Sequence, residues 1–169
     1  MNASSFELPD KRSSMAPGRA AIDVVIAYDG IGAALKALDT LTSLNLPESA
    51  GAVMLRVSTW CFRFFEDMVQ WNKATAAAAE ADLLVIAAIN GVDLPRSVKA
   101  WLRRGLAQNR RSGVTVVALL GDEDRENSPK SARFRFVQRT TRHSGARLIA
   151  PSSERVRLPE CRKDRARAG

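Results

Sequence analysis

The chain predicts a single α/β domain built on a doubly wound, parallel, five-stranded sheet. Three observations carry this prediction. Five short apolar runs recur along the sequence, at 22–28, 52–58, 83–89, 114–120 and 146–150. Between them lie segments with apolar residues at helical spacing. The third run, LLVIAAI, has no polar alternation, which marks a strand covered on both faces. With right-handed crossovers and a central third strand, the order becomes 2-1-3-4-5, with strands two and five at the edges.

Residues 1–20 are rich in Ser, Pro and charge without periodicity and read as a disordered lead-in to a domain over 21–151. Strand one, IDVVIAY, is apolar apart from Asp23 and ends at Asp29-Gly30. Helix one follows, with Ile31, Ala34, Leu35, Leu38 and Leu41 at the spacing of a buried stripe. Asn45, Pro47 and Gly51 mark a loop. Strand two, AVMLRVS, carries Arg56 on a mixed face, which suits a sheet edge. Helix two is expected from Trp60 to Ala81, burying Phe64, Met68, Trp71, Thr75 and Ala78. Helix three runs from about Arg96 to Asn109, with Val98, Trp101, Leu102, Gly105 and Leu106 on one face. Strand four, VTVVALL, closes at Gly121-Asp122. Ser128-Pro129 reads as the start of helix four, with Ala132, Phe136, Val137 and Thr140 inward and Gly145 as its end. Strand five, ARLIA, stops at Pro151, and residues 152–169 read as a basic, disordered tail.

Composition narrows the function classes. A chain of 169 residues, 46% hydrophobic, can bury one real core. No apolar run approaches the roughly 18 residues that span a bilayer, and the polar start has no apolar segment of a secretory leader, so a cytoplasmic protein without membrane contact is expected. One histidine and two separated cysteines leave no zinc pattern and no metal site to read. The formal charge is +8. Lys99, Arg103 and Arg110 recur at helical spacing on helix three, and Arg135, Arg139 and Arg142 do so on helix four. Such an excess suits either a solvated basic surface or contact with nucleic acid.

The stretch from Ala81 to Leu102 resembles the NADPH-dependent FMN reductases of the flavodoxin-like superfamily. The matches are Ala81-Asp82 opening strand three, the turn Asn90-Gly91, and Leu94-Pro95 with Lys99 entering the next helix. The resemblance implies a flavodoxin-like three-layer fold with FMN as the cofactor. Where that family carries Pro and Tyr before the Asn, this chain has Ala88 and Ile89, and its first loop, Tyr28 to Ala33, has no hydroxyl and carries Asp29. Tight FMN binding is therefore not expected. The opening DVVIAYDGIGAALKAL is similar to the start of universal stress proteins, without their later glycine-rich loop. The layout is also similar to a response-regulator receiver, in which the functional places would fall on Asp29, Asn90, Gly121 and Pro151. An amide at the phosphoacceptor place excludes phosphorylation there.

In open α/β sheets ligands bind outside the carboxyl ends of the strands. The candidate rim here is Tyr28, Asp29, Trp60, Asn90, Gly91 and Asp122. Asp29 with Asp122 could hold a divalent cation or serve as ordinary turn residues. Trp60 could stack on a planar ring or fill the core of helix two. No catalytic residue is assigned, because no base lies in sequence reach of a Ser or Cys nucleophile. Three function classes follow in order. The first is a non-catalytic flavodoxin-like module acting through protein contacts. The second is an FMN- or NAD(P)H-dependent oxidoreductase with a diverged phosphate loop. The third is a nucleic-acid-associated protein using its basic helix faces. The residues after strand five carry no stripe for a fifth helix. Helix one alone therefore leaves the sheet face over strands three to five, including alternate residues of strand four, to be covered by the N-terminal segment with Phe6, Leu8 and Met15 or, as the leading expectation, by a second copy or another protein.

Overall fold

The computed structural model describes residues 21–43, 54–89, 93–111, 113–121 and 131–150. The chain runs β1 (Ala21–Tyr28), α1 (Ile31–Thr42), β2 (Met54–Cys61), a 3-10 turn (Phe62–Glu66), α2 (Met68–Glu80), β3 (Leu83–Ala88), α3 (Arg96–Gln108), β4 (Thr115–Leu120), α4 (Ala132–Ser144) and β5 (Arg147–Ile149). The strands form one all-parallel sheet in the order 2-1-3-4-5, as expected. β3 and β4 are buried at every residue, which is why neither shows polar alternation. The expected lead-in, the loop at 44–53 and the tail lie outside the described residues.

Alternate residues of the strands feed two cores. On one face Val25, Ala27, Leu84, Ile86, Val116, Ala118 and Leu120 meet the 3-10 turn, α2, α3 and α4. Trp101 of α3 anchors this layer, edge-on to Phe65 with ring centroids 5.0 Å apart. On the other face Val24, Ile26, Val85 and Ala87 meet α1 through Ala33, Ala37 and Leu41. The expected opening over β4 is absent: Val117 and Leu119, on the face of α1, are only 1% and 3% exposed.

Three helices differ from expectation. α1 buries Ala33, Ala37 and Leu41, and turns Ile31, Leu35 and Leu38 to solvent at 78%, 61% and 41% exposure. The larger residues form a stripe, but it is the outer one. Above the bulky Val24, Ile26 and Val85, methyl-sized side chains let the helix sit close. Helix two starts later than expected. β2 continues to Cys61, so Trp60 is a strand residue paired with Ala27, and Phe62–Glu66 is a 3-10 turn. α2 begins after Asp67, whose carboxylate accepts the Gln70 N–H at 2.9 Å. Phe64 and Met68 are consequently exposed, while Thr75 and Ala78 are buried as expected. α4 is capped by Ser131, not Ser128, through a 3.1 Å bond from the Phe134 N–H. Ala132 is exposed there, and Arg133, Phe134, Val137 and Thr141 face inward. Gly145 ends α4 with φ of 72°, a left-handed cap that glycine adopts without a steric cost.

α2 and α3 touch where Gly105 faces Ala78. A Cβ at Gly105 would lie 2.8 Å from the Ala78 Cβ, which is fixed directly to a helix backbone. Gly105→Ala therefore loses stability, although Ala favours a helix over Gly by about 1 kcal/mol. Overpacking of this kind costs about 1–3 kcal/mol. Adding Ala78→Gly should return most of the loss in a urea melt, an outcome that a clash elsewhere would not give.

Candidate functional site

The described parts of the rim are built from the ends of β1, β2, β3 and β4. Past Tyr28 the chain turns directly into α1, with Asp29 donating its N–H to the Ala87 carbonyl at 3.0 Å. Gly30 is the N-cap of α1 and offers no side-chain acceptor. No Ser or Thr hydroxyl lies between Tyr28 and Ala33, and a carboxylate precedes the helix start. The first turn of α1 thus offers an anion only backbone N–H groups, with no hydroxyl beside them and the Asp29 carboxylate next to them. Trp60 is half-buried against the core of the α2–α3 face and not within a helix. Asn90, Gly91 and Asp122 lie outside the described residues, and with them the proposed Asp29–Asp122 pair. Among the described residues, no group of three or more His, Cys, Asp or Glu could hold a metal ion, and no helix is long and apolar enough to cross a membrane.

No family model, curated protein or solved structure matches this chain. Its chemistry is therefore read from its own side chains.

At the carboxyl end of β3 the structure places a cation that the sequence reading missed. Arg133, in the first turn of α4, is 5% exposed, and its Nη1 lies 3.5 Å from the Ala88 carbonyl oxygen. The same oxygen accepts the Gly121 N–H at 2.7 Å. Nearby Asp93 accepts from Lys99 through Oδ2 and from the Leu94 N–H through Oδ1. Its carboxyl is held below the ordinary aspartate range, chiefly by the Lys99 hydrogen bond, with a smaller contribution from the charge of Arg133. A depressed folded value adds stability above the ordinary aspartate range, and this is lost as the pH falls through the lowered value. Because the Asp93 side chain is 59% exposed, the contribution is small.

The six predicted basic residues separate into three groups. Arg103 and Arg139 line one groove between α3 and α4, of about 420 Å³, together with Phe136 and His143. Lys99 joins them from the same side of α3, its Nζ 5.5 Å from the Phe136 centroid. Arg135 and Arg142 are exposed on α4 but do not line the groove. Arg110 lies beyond the end of α3, where it pairs with Glu80 at 3.4 Å.

At the opposite pole, the amino ends of the strands hold an ion cluster. Asp23 Oδ2 accepts from Arg56 at 2.6 Å and from Arg111 at 3.3 Å. Asp82 accepts the Asp23 N–H at 2.9 Å. Asn109 donates to the carbonyls of Ala78 and Ala81 at 2.8 and 3.0 Å. Here polar residues inside strand patterns tie edge strand β2, β1 and the segment after α3 together, a structural use of charge.

Proposed function

We propose that this chain is a non-catalytic, flavodoxin-like binding module that works through protein contacts, and that α1 carries the contact face. One observation supports this above the others: the outward stripe of Ile31, Leu35 and Leu38 on a helix whose inner face is already satisfied by Ala33, Ala37 and Leu41. Large apolar residues in a row on the solvent side are costly to leave in water and characteristic of an interface. Val57, on edge strand β2 and on the same side of the sheet as α1, is also exposed, at 42%. A second copy is the partner that every solution of the protein supplies, and a helix stripe pairs with itself about a two-fold axis.

Light scattering tests the reading. The full chain is expected to dimerise at micromolar concentration, and Leu35→Glu with Leu38→Glu to return it to monomer. Because both side chains already face solvent, the melting temperature of the monomer should shift little, in keeping with surface substitutions of about 0.5 kcal/mol or less. A wild-type chain that stays monomeric at high micromolar concentration overturns the second-copy reading.

A further inference from the structure

A second surface, separate from the α1 face, has a different chemistry. In the α3–α4 groove the guanidinium of Arg103 lies 5.0 Å from the Phe136 centroid, with Lys99 over the same ring. Ala107 and Phe136 make the floor apolar, and Arg139 stands on the facing helix. Lys99 is neutralised by Asp93. Arg103 and Arg139 have no acidic partner among the described residues. His143 Nδ1 lies 2.8 Å from the Arg139 carbonyl. A carbonyl only accepts, so this nitrogen carries the proton and the other ring nitrogen remains for a ligand.

The geometry points to a binding site for single-stranded nucleic acid in this groove. Two exposed cations without an acidic partner among the described residues favour an anionic occupant, and three features choose among anions. The groove runs along the bodies of two helices, where backbone N–H groups are already used, so it lacks the amide cradle that holds a compact phosphate. Arg103 over the Phe136 ring sets a guanidinium beside an aromatic ring, the two kinds of surface on which an unstacked base rests. A carboxylate would meet the guanidinium edge-on and leave that plane and the apolar floor unused. A volume of about 420 Å³ between helices suits a nucleotide unit with its base turned inward, which a paired duplex cannot supply. In this arrangement Arg103 stacks and Arg139 contacts phosphate, with Phe136 positioning Arg103.

The test is fluorescence anisotropy of a labelled single-stranded oligonucleotide of about a dozen nucleotides, the scale of one such site, titrated with the full-length chain. Arg103→Glu with Arg139→Glu is expected to weaken binding at least tenfold and to flatten the slope of log K against log salt by about 1.4, two cations at about 0.7 each. Arg135→Glu with Arg142→Glu makes the same change in net charge on the part of α4 outside the groove and is expected to leave both quantities nearly unchanged. Phe136→Leu should weaken binding severalfold with the salt slope intact. All four arginines are exposed, so circular dichroism should show each variant folded. Equal losses from the two charge-reversed pairs would mean diffuse attraction to a basic protein and would overturn the proposal. So would equal affinity for a duplex of the same sequence, equal competition by poly-glutamate or inorganic phosphate, or no binding at low salt.

Discussion

Val85→Asp is expected to leave no folded protein at room temperature. Val85 sits at the middle of the central strand, in register with Ile26 of β1 and Val117 of β4, and is 1% exposed. It points into the apolar core beneath α1, with Val24, Ile26, Ala33 and Ala37 in the same cluster. A carboxylate there has no partner and no route to water, and burying it costs several kcal/mol even when it takes up a proton. Domains of this size hold about 5–15 kcal/mol in all. Val85→Ala removes only two methyl groups and should cost about 2 kcal/mol, near the lower end for large-to-small core changes. Thermal melts followed by circular dichroism separate the cases. A Val85→Asp chain melting like the wild type would remove β3 from the centre of the sheet.

Trp101 gives the second large effect, and a contrast within it. The side chain is fully buried and fills the layer between α3 and the sheet. Trp101→Ala should cost about 3–5 kcal/mol, the usual loss for an aromatic core residue. Trp101→Phe should cost far less than its lost volume suggests. The indole Nε1 is buried without a hydrogen-bond partner among the described residues, a burden of about 1–3 kcal/mol that phenylalanine does not carry. Urea denaturation of both variants decides the matter. A Trp101→Phe loss as large as its lost volume implies would mean that the indole N–H is satisfied in solution.

The sheet was legible because its inner strands are continuous apolar runs that only a covered parallel sheet accommodates. Strand positions need no alternation when helices lie on both sides, and β3 and β4 are buried throughout. The edge position of β2 was readable from Arg56, which the structure gives to Asp23. The orientation of α1 was not legible. Hydrophobicity ranks leucine above alanine, but close seating over Val24 and Ile26 selects the smaller residue for the inside. The start of α2 was obscured by the aromatic run Trp60–Phe65, whose composition suits strand and helix alike. Its true signal was Asp67 with Gln70 three residues on, the spacing of a helix cap. Arg133 had no signal, because arginine is almost never fully buried and nothing in its sequence setting marks it. Of the candidate site residues, Arg103 and Arg139 converge because α3 packs beside α4, a juxtaposition that helical spacing does not reveal. Arg110 and the outer pair on α4 share only the spacing.

The alanine seat of α1 also sets the order in which the molecule comes apart. α3 is held by Val98, Trp101, Leu102 and Leu106, whereas α1 is held by two methyl groups and one leucine. Free energies of local opening follow buried apolar contact, so α1 should open more readily than α3. Its amides should exchange with solvent through a partial opening well before the sheet does. What that opening uncovers is the row Val24, Ile26 and Val85, alongside the leucines that α1 already presents. A short-lived species with both surfaces bare is the form from which clumping on warming would start.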